Sequence, residues 1–262
     1  MTNTNKTVIF ILAAITLLTA GYFTRKEHTM PDLAQTDPEL AALWQNFVNK
    51  DVRPHGRLDG KTRWLVIMAA HIAAQSPNEY KLILAEALDN GITPTEAKEV
   101  IYQAIPYLGM AKVYDFLGAA NEVLTARGIK LPLPGQSTTT VNTRLEKGLA
   151  AQKAIFGSRI DNMRAAAPQE LKHIQDYLSA NCFGDYYTRR TLSLQTRELL
   201  TFSLLAALGG ADSQLLAHTQ GNLNVGNDKQ VLLDTITQLL PYIGYPRSLN
   251  AIAAVNQTTK DQ

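Results

Sequence analysis

The chain has 262 residues, 45% of them hydrophobic and 18% charged, with a formal net charge of +2. That length suits one large domain or two small ones. The near-balanced charge, with no Lys/Arg run interleaved with aromatics, argues against a nucleic-acid partner. The single cysteine, Cys182, excludes an internal disulfide, a CxxC redox pair and a structural zinc site built from cysteines.

The first stretch of the chain stands apart. Lys6 precedes TVIFILAAITLLTAGYF, an uncharged run from Thr7 to Phe23, and TRKEH follows. A charged start before a short apolar core is the pattern of a secretory signal, and the run falls short of the roughly 20 residues of a spanning helix. Cleavage after Ala20 would place the large Leu18 where a small residue is preferred, and no cysteine follows to carry a lipid. Residues 1–29 are therefore expected to be a signal peptide or a membrane anchor. The protein is expected to be exported, periplasmic or held at the inner membrane, and to touch membrane only through this segment if it is uncleaved. The alternative is a cytoplasmic form starting at Met30.

Beyond this segment the pattern is all-α, with almost no period-two alternation. SPNE at Ser76–Glu79 and TPTE at Thr93–Glu96 both read as capping boxes with proline at the first helical position. Asn90-Gly91 reads as a left-handed helix stop. These signals predict a helix pair over about 77–105. The same unit then recurs. Leu88, Gly91, Ile101, Gln103, Pro106, Tyr107 and Gly109 reappear, in the same order and at one constant offset, as Leu223, Gly226, Ile236, Gln238, Pro241, Tyr242 and Gly244. KTRWLVIMAAHIAA, starting at Lys61, returns as QTRELLTFSLLAAL, starting at Gln195. The chain thus reads as two tandem helical repeats, over 35–127 and 144–262, each built on a unit of about 60 residues and three helices with further helices before it. GIKLPLPGQSTTT marks a linker, 128–143.

TRELLTF, then GGxxxxLxxHxxGxLNVG, then QLLPYxGYPRxLNA together resemble the carboxymuconolactone decarboxylase family, which has the alkylhydroperoxidase-D-like all-helical fold. LEKGLAAQKAIFG…LSANCFGDYYTR resembles the interval between repeats of tandem members. The resemblance covers roughly 35–256 and is sharpest in the second repeat. It implies small organic acids or lactones as partners, no cofactor, and assembly from repeats into a ring, here a trimer of two-repeat chains.

The candidate chemistry lies in the second repeat. Glu198 shares a mostly apolar face with Thr201, Phe202 and Leu205. His218 shares a stripe with Ala211, Gln214, Leu215, Gly221 and Asn222. If those faces pack together, a carboxylate and an imidazole meet in a poorly hydrated pocket suited to proton transfer; a structural ion pair is the plainer reading. In the redox branch of the family the resemblance implies a CxxC before the histidine, and its two positions here are Ala211 and Gln214. The lactone decarboxylases need only proton transfer and carboxylate binding. Asn222, Gln214, Tyr187, Arg189 and Arg247 are candidate substrate-binding residues, and Cys182 is a candidate redox residue. In the first repeat Trp64 stands at the position of Glu198 and Ile83 at that of His218, so this copy is expected to supply structure. His71 is expected to be a core or interface histidine. Three functions remain open: a cofactor-free decarboxylase or lactone enzyme, a peroxidase-like antioxidant protein working through Cys182, and a non-catalytic binding relative.

Overall fold

A computed structural model describes residues 33–260; the expected signal or anchor segment and Met30 lie outside the described residues. Leu33–Thr36 forms one helical turn. From Glu39 onward the chain is a single body. Its regular structure is all helical, with no strand among the described residues. No described helix is long and apolar enough to cross a membrane.

Two helices form its centre. α1 (Gly60–Ala73) is buried without interruption from Trp64 to Ala73, and its repeat counterpart α6 (Leu194–Leu208) from Arg197 to Ala207. α1 is almost wholly apolar over this span, and α6 is apolar apart from Arg197, Glu198, Thr201 and Ser203, which suits helices covered all round; the two pack against each other. α2 (Pro77–Asp89), α3 (Pro94–Leu108) and α4 (Met110–Ala126) complete the first unit, and α7 (Asp212–Asn224) and α8 (Lys229–Thr258) the second. Helix starts coincide between the copies, Gly60 with Leu194, Pro77 with Asp212 and Pro94 with Lys229, as the sequence repeat requires.

Each unit has four helical segments where three are expected. The helix through each PYxG is broken at its glycine, Gly109 (φ 82°, ψ 150°) and Gly244 (φ 76°, ψ 167°). Side chains avoid that backbone geometry and glycine does not. In the second unit, as in the first, the glycine separates two helices, so α8 is a pair of helices meeting at a kink.

The caps match the sequence in part. Thr93 closes a complete capping box with Glu96. Asp59, Ser193 and Asp228 cap α1, α6 and α8 by accepting backbone N–H groups. Ser76 does not: its hydroxyl donates to the Glu79 carboxylate at 3.2 Å. That carboxylate also lies 3.7 Å from His71 Nε2, so it is turned toward a buried imidazole instead of the helix start. His71 is 2% exposed, with Nδ1 2.8 Å from the Ile67 carbonyl, as expected of a core histidine.

The interval between repeats is folded onto the second. α5 (Arg144–Phe156) packs along a π-helix, Leu178–Tyr187. Their backbones meet at Gly148 and Gly184, where a Cβ would collide with the carbonyl oxygens of Ser179 and Arg144. A shorter π-helix, Phe47–Val52, occupies the matching place before the first unit.

Candidate active site

Glu198 sits in the second turn of α6 and is completely buried. Its Oε2 lies 2.8 Å from His218 Nδ1 on α7, and Tyr187 donates its hydroxyl to Oε1 at 2.8 Å. An ionised carboxylate only accepts, so Nδ1 carries the hydrogen in this pair. The opposite ring nitrogen, Nε2, has no hydrogen-bond partner among the described residues, and His218 lines a cavity of about 550 Å3. Asn222 fixes the two helices in register. Its Nδ2 donates to the carbonyls of Glu198 at 3.0 Å and His218 at 2.7 Å, and its Oδ1 accepts from Asn227 at 2.8 Å.

Behind the carboxylate lies a directed set of hydrogen bonds. The one hydroxyl hydrogen of Tyr187 goes to Glu198. Its contacts with Tyr107 (2.6 Å) and Thr201 (2.8 Å) must therefore be bonds it accepts. Gln103 donates to Thr201 at 3.2 Å, and Gln103 Oε1 accepts from Arg197 Nη1 at 2.9 Å. Burial and the Glu198 charge hold the Tyr107 and Tyr187 hydroxyls well above the usual phenol range, so both remain donors. Tyr107 and Phe156 pack against the His218 ring in T-shaped contacts, each with centroids 5.3 Å away.

Tyr107 is the largest omission of the sequence reading. It belongs to the first repeat, in PYLG, and reaches the site of the second. The exchange is mutual: Tyr242, from PYIG of the second repeat, lies with its ring 4.7 Å from His71 of the first. The first-repeat site is degenerate in volume as well as chemistry. A cavity of only about 60 Å3 is walled there by Val52, Arg63, Trp64, Pro241 and Tyr242.

The other candidates separate. Gln214 and Cys182 line the His218 cavity, Gln214 exposed and Cys182 6% exposed. Burial pushes the Cys182 thiol up to about 12, and it donates weakly to the Tyr107 hydroxyl at 3.9 Å. Tyr187 and Asn222 lie behind the acid–base pair instead of in the cavity wall. Arg247 is exposed on α8 and donates to the Ala207 carbonyl at the end of α6, a C-terminal capping contact. Arg189 is bound to Glu99 and lines a different cavity. Among the described residues, the one Arg or Lys in the wall of the His218 cavity is Arg159, an exposed residue just before Ile160. Its signal was faint, because a surface arginine in the interval between repeats carries no motif. No three His, Cys, Asp or Glu side chains among the described residues are grouped to hold a metal ion.

A four-segment helical unit given twice, with one carboxylate–imidazole pair between the central helix and the next, defines the class. The family profile described as the carboxymuconolactone decarboxylase family matches residues 38–122 and again 172–257. The chain belongs to that family. Among curated proteins it is similar to the 4-carboxymuconolactone decarboxylase of Acinetobacter baylyi, at 28% identity over 119 residues, covering 45% of this chain and 88% of that protein.

Proposed function

We propose that the protein is a cofactor-free lyase acting on a small carboxylated lactone or related organic acid. The observation that carries this is the His218–Glu198–Tyr187 arrangement at the wall of a ligand-sized cavity. Glu198 fixes the imidazole with its hydrogen on Nδ1 and leaves Nε2 to exchange a proton with substrate. Arg159 supplies a cation for a substrate carboxylate at the same cavity. In a decarboxylation of this kind the C–C bond breaks and CO2 leaves. The electron pair passes into the conjugated carbonyl. The carbon then takes a proton from Nε2 of a His218 ring that has first gained it from solvent, and the ring returns to its neutral Nδ1–H form. The name of the Acinetobacter relative supports a carboxymuconolactone as the first substrate to try. The Cys182 alternative is less well supported, since a thiol pushed up to about 12 supplies almost no thiolate near neutral pH.

The test is CO2 release from 4-carboxymuconolactone and other carboxylated lactones. The His218→Gln protein should lose ~10²-fold or more of the rate, the scale of a lost general acid–base group, while keeping its fold by circular dichroism. A wild type inactive on every carboxylated lactone, or a His218→Gln protein of unchanged rate, overturns the reading.

A further inference from the structure

A second cavity, of about 500 Å3, lies between α3, α4 and the linker. One side is apolar: Leu117 and the Leu131–Pro134 run. The other holds Lys98, Glu99, Tyr102, Asn121 and Arg189.

The charges on that side do not balance. Glu99 is completely buried and, among the described residues, is the only carboxylate in the wall. It already accepts from Arg189 Nε at 2.9 and 3.0 Å and pairs with Arg197 Nη2 at 2.9 Å. Lys98 is 7% exposed, and among the described residues its ammonium has one partner, the Asn121 amide oxygen at 2.5 Å. In the wall one negative charge thus stands with two positive ones, Lys98 and Arg189, and Glu99 is shared further with Arg197 behind it. A desolvated ammonium without a counter-charge is costly, and burial draws the Lys98 amine below the usual lysine range. The Arg189 guanidinium lies over the Tyr102 ring at 5.0 Å, which presents a flat stacked surface at the same wall.

We propose that this cavity is a second ligand site, separate from His218, that takes an organic carboxylate with an apolar or aromatic body. Lys98 is its charge partner, with Arg189 beside it and the Leu–Pro wall of the linker against the body. Volume, surplus positive charge and apolar lining each fit such a ligand, and a bare inorganic anion would leave the Leu–Pro wall unused.

The experiment uses the full chain with methyl-labelled leucines, benzoate as probe and benzyl alcohol as the neutral control. Benzoate should shift the methyls of Leu117, Leu131 and Leu133 saturably, and benzyl alcohol should not. Leu205 and Leu208 line the His218 cavity and report on that site separately. Lys98→Met should weaken the Leu117 and Leu133 response at least about fivefold, the scale of one lost charge-assisted hydrogen bond, whereas Lys98→Arg should retain it. Leu133→Trp, which fills the cavity, should abolish it. If Lys98→Met does not fold, Leu133→Trp and the benzoate–benzyl alcohol comparison decide. Shifts confined to Leu205 and Leu208, an equal response to benzyl alcohol, or less than a fivefold change in Lys98→Met overturns the proposal.

Discussion

Replacing Gly221 with alanine tests how tightly the acid–base pair is held. Gly221 lies on α7 one turn after His218, and its buried face meets the pair. A Cβ there would sit 2.5 Å from Glu198 Oε2, 2.9 Å from Ile155 Cγ2 and 3.0 Å from Phe156 Cε1. Ordinary contact begins near 3.4 Å, so the carboxylate oxygen must withdraw by about 0.9 Å. Both carboxylate oxygens are already held at 2.8 Å, by His218 and Tyr187, so withdrawal sacrifices one of those bonds. A hydrogen bond to a charged group contributes ~1.5–3 kcal/mol, and crowding against Ile155 and Phe156 adds ~1 kcal/mol. The better helix propensity of alanine offsets ~1 kcal/mol. The net expectation is a loss of about 1.5–3 kcal/mol, read from urea unfolding curves. In a Glu198→Ala background the new methyl has room beside it, and the same change should become neutral or stabilising. That reversal of sign measures the coupling directly. A Gly221→Ala protein as stable as its parent with Glu198 present would show that the pair is not packed as described.

Three further outcomes are expected. Cys182 should resist iodoacetamide at pH 8 in the folded protein. Since burial raises its thiol from an ordinary 9 to about 12, its stabilising contribution should be complete below pH 9. It should fall as pH rises through 9 to 12, where the unfolded chain releases its proton first, by about 4 kcal/mol in all; a Cys182→Ala protein with an equally steep alkaline decline would contradict this. Assembly should show in light scattering as a trimer, because α4 and the last stretch of α8 expose apolar pairs at equivalent repeat positions, Met110 and Tyr114 in one copy, Tyr245 and Leu249 in the other; a monomer at micromolar concentration counts against it. Mass spectrometry of periplasmic and membrane fractions should find the chain either shortened near Ala20 or membrane-bound, and full-length chain confined to the cytosol refutes export.

The helices and the central pair were legible because their signals are local or repeated. Thr93 and Glu96 form their box within one turn. Two nearly equal offsets, 134 residues for the first helix and 135 for the rest, carry a whole unit from the first copy to the second. Glu198 and His218 were found because a carboxylate and an imidazole on apolar faces of consecutive helices need each other. Tyr187 was named from its neighbourhood, but its place behind Glu198 depends on the π-helix. There residues five apart, such as Cys182 and Tyr187, share a face that a 3.6-residue period does not reveal. Tyr107 was legible as a repeat marker and not as a site residue. It and His218 stand in different repeats, with the whole linker between them, and only the packing of one repeat on the other joins them. The arginines were misplaced for a different reason. A long side chain near the surface selects whichever acceptor is in reach, Glu99 for Arg189 and the Ala207 carbonyl for Arg247, and no spacing rule encodes that choice.

The crossing of the two PYxG turns has a consequence for how this chain can vary. Each half roofs the other's histidine, so neither is a self-sufficient module even though each is a complete copy of the fold. The first half has Trp64 and Ile83 where the second has Glu198 and His218, and those positions answer only to packing. At Tyr107 that half remains bound by the needs of its sibling, whose imidazole it covers. Duplication here has not produced a working copy and a spare. It has divided the labour unequally, leaving the first half to hold the second's site from behind, through Glu99 and Gln103, and from above, through the turn it lends across the boundary.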